Sequence, residues 1–468
     1  MPDPGPTLVW LRRDLRLADQ PALHAACERG GPVIPVFIHA PEEEAPWQSG
    51  AASNWWLHHS LQALERDLRA LGSRLTLRAG PSLETLRSLV RETGATAVYW
   101  NRLYDPAFVL RDPEIKAGLR ADGLEVHSFN AHLLIEPWDV ETGQGRPYRV
   151  FSPFWKACLK RGIDRDPLPA PATLAPPGTW PDRLQPEHLQ LLPAIDWAAG
   201  LRAAWTPGER AALERLEHFL DGAVRHYGVE RDRPDHDGTS RLSPHLHFGE
   251  ISPHQILRAL RQAGLHPDSG GPEAFVRELG WREFAHHVLY HFPHTPEQPL
   301  NPRFEAFPWR EARRDLQAWQ HGETGLPIVD AAMRQLWETG WMHNRLRMVV
   351  GSFLTKNLRL HWRHGARWFW DTLVDADLAA NTLGWQWAGG CGADAAPYFR
   401  VFNPRTQGER HDPDGTFVRR FVPVLQDVET RYIHAPGAGG ARGYPDPIVD
   451  LKASRQAALE AFQAVKDH

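Results

Sequence analysis

Hydrophobic period changes once along this chain, and the change divides it. Up to residue 132, short β-rich runs alternate with helical stretches. Thr7–Leu11, Val33–Ile38, Leu75–Leu77, Ala97–Trp100 and Val126–Phe129 have strand character. Pro21–Glu28, Ser53–Leu71, Ser82–Glu92 and Asp112–Ala121 have helical character, with Ser53 as the N-cap of the longest. That alternation predicts an α/β domain built on an open, parallel, doubly wound sheet. Residues 166–182 carry proline at a density that blocks both helices and sheet ladders, so 133–205 reads as an interdomain linker. From 206 to 468 strand signals fade and an all-α domain is expected. Its helices are placed at Ala211–Val224, Pro253–Ala263, Ala274–His287, Val329–Thr339, Asn344–Asn357, Ala366–Val374 and Ser454–Val465.

The 468 residues suffice for two or three domains, and 42% hydrophobic with 24% charged residues argues against extended disorder. Apolar runs are too short to span a membrane. The start, Met1-Pro-Asp-Pro-Gly-Pro, lacks the basic and apolar regions of a leader. Cys27, Cys158 and Cys391 are far apart and form no CxxC pair, so no metal cluster is built from cysteine alone. Together these features predict a cytoplasmic protein. Net charge is −4, yet residues 341–420 hold eleven Lys/Arg against seven Asp/Glu. Such a basic stretch fits a polyanion partner as well as it fits a solvated surface. Neither GxGxxG nor a Walker A motif is present, so the sheet is not a standard dinucleotide or P-loop site.

Residues 375–387 concentrate unusual chemistry. Asp375, Asp377 and Asn381 share about four helical turns with Trp385 and Trp387. The carboxylates are either dipole partners at a helix start or acceptors for ribose hydroxyls and ring N–H groups. Arg347 can neutralise one of them. Asn381 can both donate and accept, which suits a ring nitrogen whose protonation changes with redox state, or it is an ordinary satisfied amide. The loop Thr239-Ser240-Arg241-Leu242-Ser243, ahead of a helix, is either a capped turn or an anion site, with Tyr227 and Arg231 upstream. Glu278 and Trp281 share a helical face, with Arg282 beside them; a base-recognition set and an amphipathic helix with a buried Trp both fit. Nine of the 20 Trp lie between 301 and 400. Trp309, Trp362 and Trp385 fall on separate helical segments, where core packing or a line of oxidisable rings would account for them. The pairs His58/His59, His245/His247 and His286/His287 read as structural rather than metal-binding.

Six stretches, taken in order, resemble the photolyase/cryptochrome family over nearly the whole chain. They are Thr7–Leu17 (TLVWLRRDLRL), Thr239–Glu250 (TSRLSPHLHFGE), Glu278–Phe284 (ELGWREF), Trp341–Met348 (WMHNRLRM), Asp375–Trp387 and Ala395–Pro404 (AAPYFRVFNP). The resemblance implies light-driven electron transfer from reduced FAD to a cyclobutane pyrimidine dimer flipped out of UV-damaged DNA. Its alternative is a cryptochrome-type blue-light receptor with little repair; a non-photochemical flavoprotein would need a nicotinamide fingerprint that is absent. On the family pattern, residues 206–468 form the FAD- and DNA-binding catalytic domain and 1–132 the antenna domain. Tyr227, Thr239, Ser240, Arg241, Leu242, Ser243, Asn344, Asp375, Asp377 and Asn381 match flavin contacts, and Arg347 matches the ion-pair partner of Asp375. Trp385, Trp362 and Trp309 match a photoreduction chain running outward from the flavin. Glu278, Trp281, Met348 and Trp387 match the dimer pocket. Arg231, Arg282, Arg345, Arg400 and Gln407 match DNA-facing positions.

Asn344-Arg345 with Met348 resembles the cyclobutane-dimer type, and Asn381 the repair enzymes. Ser243–Glu250, Ser53–Leu61 and Ile135–Trp138 resemble the class III branch near plant cryptochromes. The chain stops soon after the helical domain, without a long signalling tail. A second, antenna chromophore is implied, methenyltetrahydrofolate ahead of a deazaflavin. Ala107 and Phe108 stand where folate-binding class I relatives carry Asn and Glu, so a class III manner of binding is expected. A monomer with no membrane contact and no obligate protein partner completes the expectation.

Overall fold

The computed structural model describes residues 4–266, 268–395, 399–439 and 441–466. Residues 396–398 of the Ala395–Pro404 motif lie outside them. The sheet forms as the alternation predicts: β1 (Thr7–Leu11), β2 (Val33–His39), β3 (Thr76–Ala79), β4 (Ala97–Asn101) and β5 (Glu125–Phe129), all parallel, in the order β3-β2-β1-β4-β5. Leu8, Val9, Val36 and Val98 are fully buried because helices cover both faces. Strand order reverses between β1 and β4, the switch point where such sheets leave a crevice. Arg12 and Asn101 meet there, the guanidinium donating to the Asn101 carbonyl.

Several helices start two to six residues before their expected positions, those at Gly270 and Trp362 four residues early, and two of the shifted starts have a clear local cause. The long helix runs Ala51–Ala70 with Gly50 as N-cap, so Ser53 is inside it. Its hydroxyl instead donates to the Leu373 carbonyl at 3.3 Å, tying this helix to the other domain. The helix expected from Asp112 begins at Pro106, one residue after Asp105, and tolerates Pro113 within it. Proline at the first helical position lacks only an N–H that would be unpartnered anyway.

Residues 166–182 contain no helix or strand. The wider 133–205 segment carries the helices Phe151–Arg161 and Ala199–Ala204. Beyond it the chain is helical. Four helices frame the site: Gly270–His291, Asn344–Ser352, Trp362–Thr372 and Leu378–Gly389. The stretch expected as one helix to Asn357 changes at Phe353 into a π-helical turn, Phe353–Asn357. No helix among the described residues is long and apolar enough to cross a membrane.

The two halves are joined by a buried polar seam. Arg16 donates to the Gly249 carbonyl at 2.9 Å. Asp19 receives Arg165 at 2.6 Å and the Ser252 hydroxyl at 2.5 Å.

Candidate flavin site and substrate pocket

Asp377 is the N-cap of helix Leu378–Gly389, its Oδ1 accepting from the Ala380 N–H at 2.8 Å. Two residues earlier, Asp375 takes both its contacts from Arg347 Nη2, at 3.0 and 2.8 Å. Arg347 is itself steadied by donating Nε to the Met342 carbonyl at 2.8 Å. The expected ion pair is therefore present. Asn381 sits one turn after Asp377 and donates Nδ2 to the Ala366 carbonyl at 3.0 Å. That bond holds the amide and leaves Oδ1 and the second Nδ2 hydrogen outside it. Asn344, the first residue of its helix, is exposed.

The Thr239–Ser243 loop is held by a residue the sequence reading missed. Arg215 donates to the Ser240 carbonyl at 3.0 Å, the Thr239 carbonyl at 3.3 Å and Asp237 at 2.9 Å. Within the loop Arg241 has φ 51°, a left-handed conformation costly for a residue with a side chain. Its Nε makes no hydrogen bond but lies 3.7 Å from Asp237 Oδ1, and its guanidinium is 5.0 Å from the Trp341 ring. Burial pushes that guanidinium below its usual range, with Asp237 opposing. Leu242 is buried beneath the loop, and Ser243 opens a helix of one turn, Ser243–His247. Tyr227, buried nearby, has its phenol pushed well up by burial. A strained loop with hydroxyls and a half-buried cation only loosely paired with Asp237 fits the diphosphate of FAD.

Glu278 and Trp281 share one face of helix Gly270–His291. Arg231 donates to Glu278 Oε1 at 2.5 Å, and the next residue, Asp232, takes Arg345 bidentately at 2.7 Å to each oxygen. Arg345 in turn reaches the Met348 sulfur at 3.7 Å. Two consecutive residues thus tie Glu278 to Met348. Trp281 lies flat on Phe151, with ring centroids 3.9 Å apart and planes 8° apart. Phe151 comes from the 133–205 segment, and nothing in its sequence context marks it as a support. Trp387 faces Phe402 at 6.5 Å, Arg400 is exposed, and Gln407 lies half-buried on helix Pro404–His411.

Arg282 does not fit its DNA-facing assignment. Its side chain is only 13% exposed, and it donates to the His132 carbonyl at 2.8 Å and contacts the His132 ring at 2.7 Å. A position one residue after Trp281 is rotated about 100° round the helix, which turns Arg282 into the seam between the domains. It borders a buried trio, His132, His286 and Asp377, whose ligand-type atoms all lie within 4.8 Å of one another. His286 and His247 approach Asp377 at 3.4 and 3.7 Å. Burial would raise the Asp377 carboxyl, but these imidazoles outweigh it and hold it well below the usual range. Arg282 at the His132 nitrogen makes this a charge cluster closed by protein groups.

Trp385 is buried in a slot between two glycines. A methyl on Gly365 would sit 2.0 Å from its indole, and one on Gly351 3.7 Å from it. Trp362 is also buried and packs beside Gly389 of the helix that carries Trp385. Trp309 is half-buried but lies in an irregular segment, not on a helix. Its surroundings contain proline at 302 and 308, which cuts the expected helix short. His361 stands between the two indoles, 5.0 Å from Trp309 and 5.5 Å from Trp362. Burial pushes His361 down to about 4, so the ring is neutral near pH 7.

Residues 7–172 match the family described as DNA photolyase, and residues 275–464 match the FAD binding domain of DNA photolyase. The chain is 48% identical to a deoxyribodipyrimidine photo-lyase of Agrobacterium fabrum, covering 99% of this chain and 98% of that one. This chain belongs to the photolyase/cryptochrome family. Within the family it is also 40% identical to cryptochrome-1 of Arabidopsis thaliana, over 98% of this chain and 70% of that one. The crystal structure of a bacterial class III photolyase from Agrobacterium tumefaciens superposes with a TM-score of 0.94 at 47% identity, covering 100% of this chain and 99% of that one. The family membership brings FAD as the cofactor of the helical domain.

Proposed function

We propose that the protein is a deoxyribodipyrimidine photo-lyase that splits cyclobutane pyrimidine dimers in DNA. The observation that carries this reading is the linked set Glu278–Arg231 and Asp232–Arg345–Met348, with Trp281 on the same helical face as Glu278. When bound, reduced FAD supplies a light-driven one-electron donor. The chain's own residues do the rest. Arg241 and the Thr239–Ser243 loop would hold the diphosphate, and the Asn381 carboxamide would hydrogen-bond the ring. Arg231 occupies one oxygen of Glu278 and leaves the other to accept from a base N–H, stabilising charge that develops on the dimer. Trp281, backed by Phe151, offers its open face for stacking. A damaged, poorly stacked step lowers the cost of flipping to roughly a few kcal/mol.

A second chromophore, methenyltetrahydrofolate, is part of the proposal. Phe108 supports a class III manner of binding: it is buried, with Arg13 at 5.2 Å and Arg111 at 4.8 Å from its ring, and leaves no carboxylate at that position. The test is the absorption spectrum of the purified protein combined with DNA binding. A flavin spectrum and tighter binding to dimer-containing than to undamaged duplex are expected. Flavin with no preference for the dimer would favour the photoreceptor alternative.

A further inference from the structure

Lys356 is a buried cation that none of the roles above uses. It is 5% exposed and sits in the π-helical turn Phe353–Asn357. Single π-helical turns within α-helices are frequent at functional sites. Among the described residues no carboxylate pairs with Lys356. Its ammonium donates to the Arg400 carbonyl at 2.5 Å and lies 4.6 Å from the Phe399 ring. Burial pushes it down to about 8, with the buried Cys391 raising it and Arg400 lowering it further. An unpaired buried ammonium is costly, and a Met of similar length would pack there without that cost. The charge therefore has a use beyond filling space.

The turn and the residue that precedes it each grip this segment once. Ser352, the last residue before it, accepts from the Phe402 N–H at 3.1 Å. The Arg400 and Phe402 main chain is thus held at two points by one element. The turn is also bonded to the helix that carries Trp387, through the Thr355 hydroxyl and the Ala388 carbonyl at 3.2 Å. Lys356, Trp387 and Arg400 line one cleft.

We propose that Lys356 is a positioning residue for Arg400: its ammonium, together with Ser352, fixes the Arg400 main chain so that the exposed guanidinium meets a DNA phosphate beside Trp387. The proposal rests on the reading of Arg400 as a DNA contact. A long arginine on an unanchored backbone would lose conformational freedom on binding; one on a clamped backbone loses less.

The test measures affinity for dimer-containing and undamaged DNA against salt concentration, in the FAD-loaded protein. Each neutralised phosphate contributes about 0.9 to the negative slope of log K against log salt. Arg400→Ala should shallow the slope by roughly that amount. Lys356→Met should shallow it by a similar amount, Lys356→Arg should restore it, and the Lys356→Met/Arg400→Ala pair should be no worse than Arg400→Ala alone. If Lys356→Met does not fold, Ser352→Ala releases the other end of the clamp and should give the same shallower slope. A changed slope in Arg400→Ala with the parent slope in the folded Lys356→Met protein, or in Ser352→Ala, would overturn the positioning role while leaving the Arg400 contact standing. Additive losses in the double variant would also overturn it, since Lys356 would then act on DNA by itself. An unchanged slope in Arg400→Ala would overturn both.

Discussion

At the scale of single residues, two side chains carry most of the functional argument. Trp281 has one face covered by Phe151, so only the other can stack on a base. Base–aromatic stacking is worth about 1–3 kcal/mol. Trp281→Ala should therefore weaken binding to dimer-containing DNA by roughly tenfold or more, with FAD content unchanged. Equal affinity in parent and variant, measured by titration, would remove Trp281 from the pocket. Asn381 is a neutral carboxamide held by the Ala366 carbonyl. Asn381→Asp places a negative charge beside a cofactor that must accept electrons, and like charges at close range in a buried site are costly. The flavin reduction potential should fall and repair under limiting reductant should slow. Potentials measured in both proteins check this; identical values would mean that Asn381 does not tune the flavin.

At the scale of elements, packing decides what the sequence could only list. The indole of Trp385 is legible as an oxidisable ring, but its slot is not, because Gly351 and Gly365 come from two other helices. Gly365→Ala puts a methyl 2.0 Å from the present ring position, and overpacking of this kind typically costs 1–3 kcal/mol, roughly. It should displace Trp385 and slow photoreduction of oxidised flavin by external reductant, as Trp385→Phe should by removing the oxidisable ring. Photoreduction at the parent rate in both variants, followed by absorbance, would show that Trp385 is not the first donor. Several helix positions followed from their 3.6-residue pattern to within a turn. The misplaced ones have local causes. Ser53 looks like a cap but is buried against Leu373. Proline breaks the segment around Trp309, and the π-helical turn at Phe353 has no signature in period or composition. Arg282 was misread because spacing places a residue on a helix face but does not say which neighbour covers that face.

At the scale of the whole molecule, the alternation of short strands and helices was enough to predict the parallel doubly wound sheet and the helical domain after it. The seam between them was not legible, since Arg16, Asp19, Arg165, Ser252 and His132 are scattered in sequence and meet only after folding. Asp19 illustrates what the seam contributes. Its carboxyl is fully buried; burial would raise it, but Arg165, Arg16 and Ser252 hold it below 3.8. A depressed carboxyl adds stability that is complete above its unfolded value of about 3.9 and is lost as pH falls through the folded value. Asp19→Asn should therefore lower stability near pH 7 by about 1–3 kcal/mol, with the two proteins converging in acid. Denaturation curves across pH check the sign; a constant gap down to the acid limit would contradict it.

This molecule brings a reducible flavin and a flipped pyrimidine dimer together for light-driven bond cleavage. The measurement that tests it most directly is dimer content in UV-irradiated DNA after incubation with chemically reduced, FAD-loaded protein, under blue light and in darkness. Loss of dimers in light alone, abolished by Trp281→Ala at concentrations where that variant does not bind, is the predicted result. Persistence of dimers in light, with reduced FAD bound and damaged DNA saturating the protein, would contradict the claim.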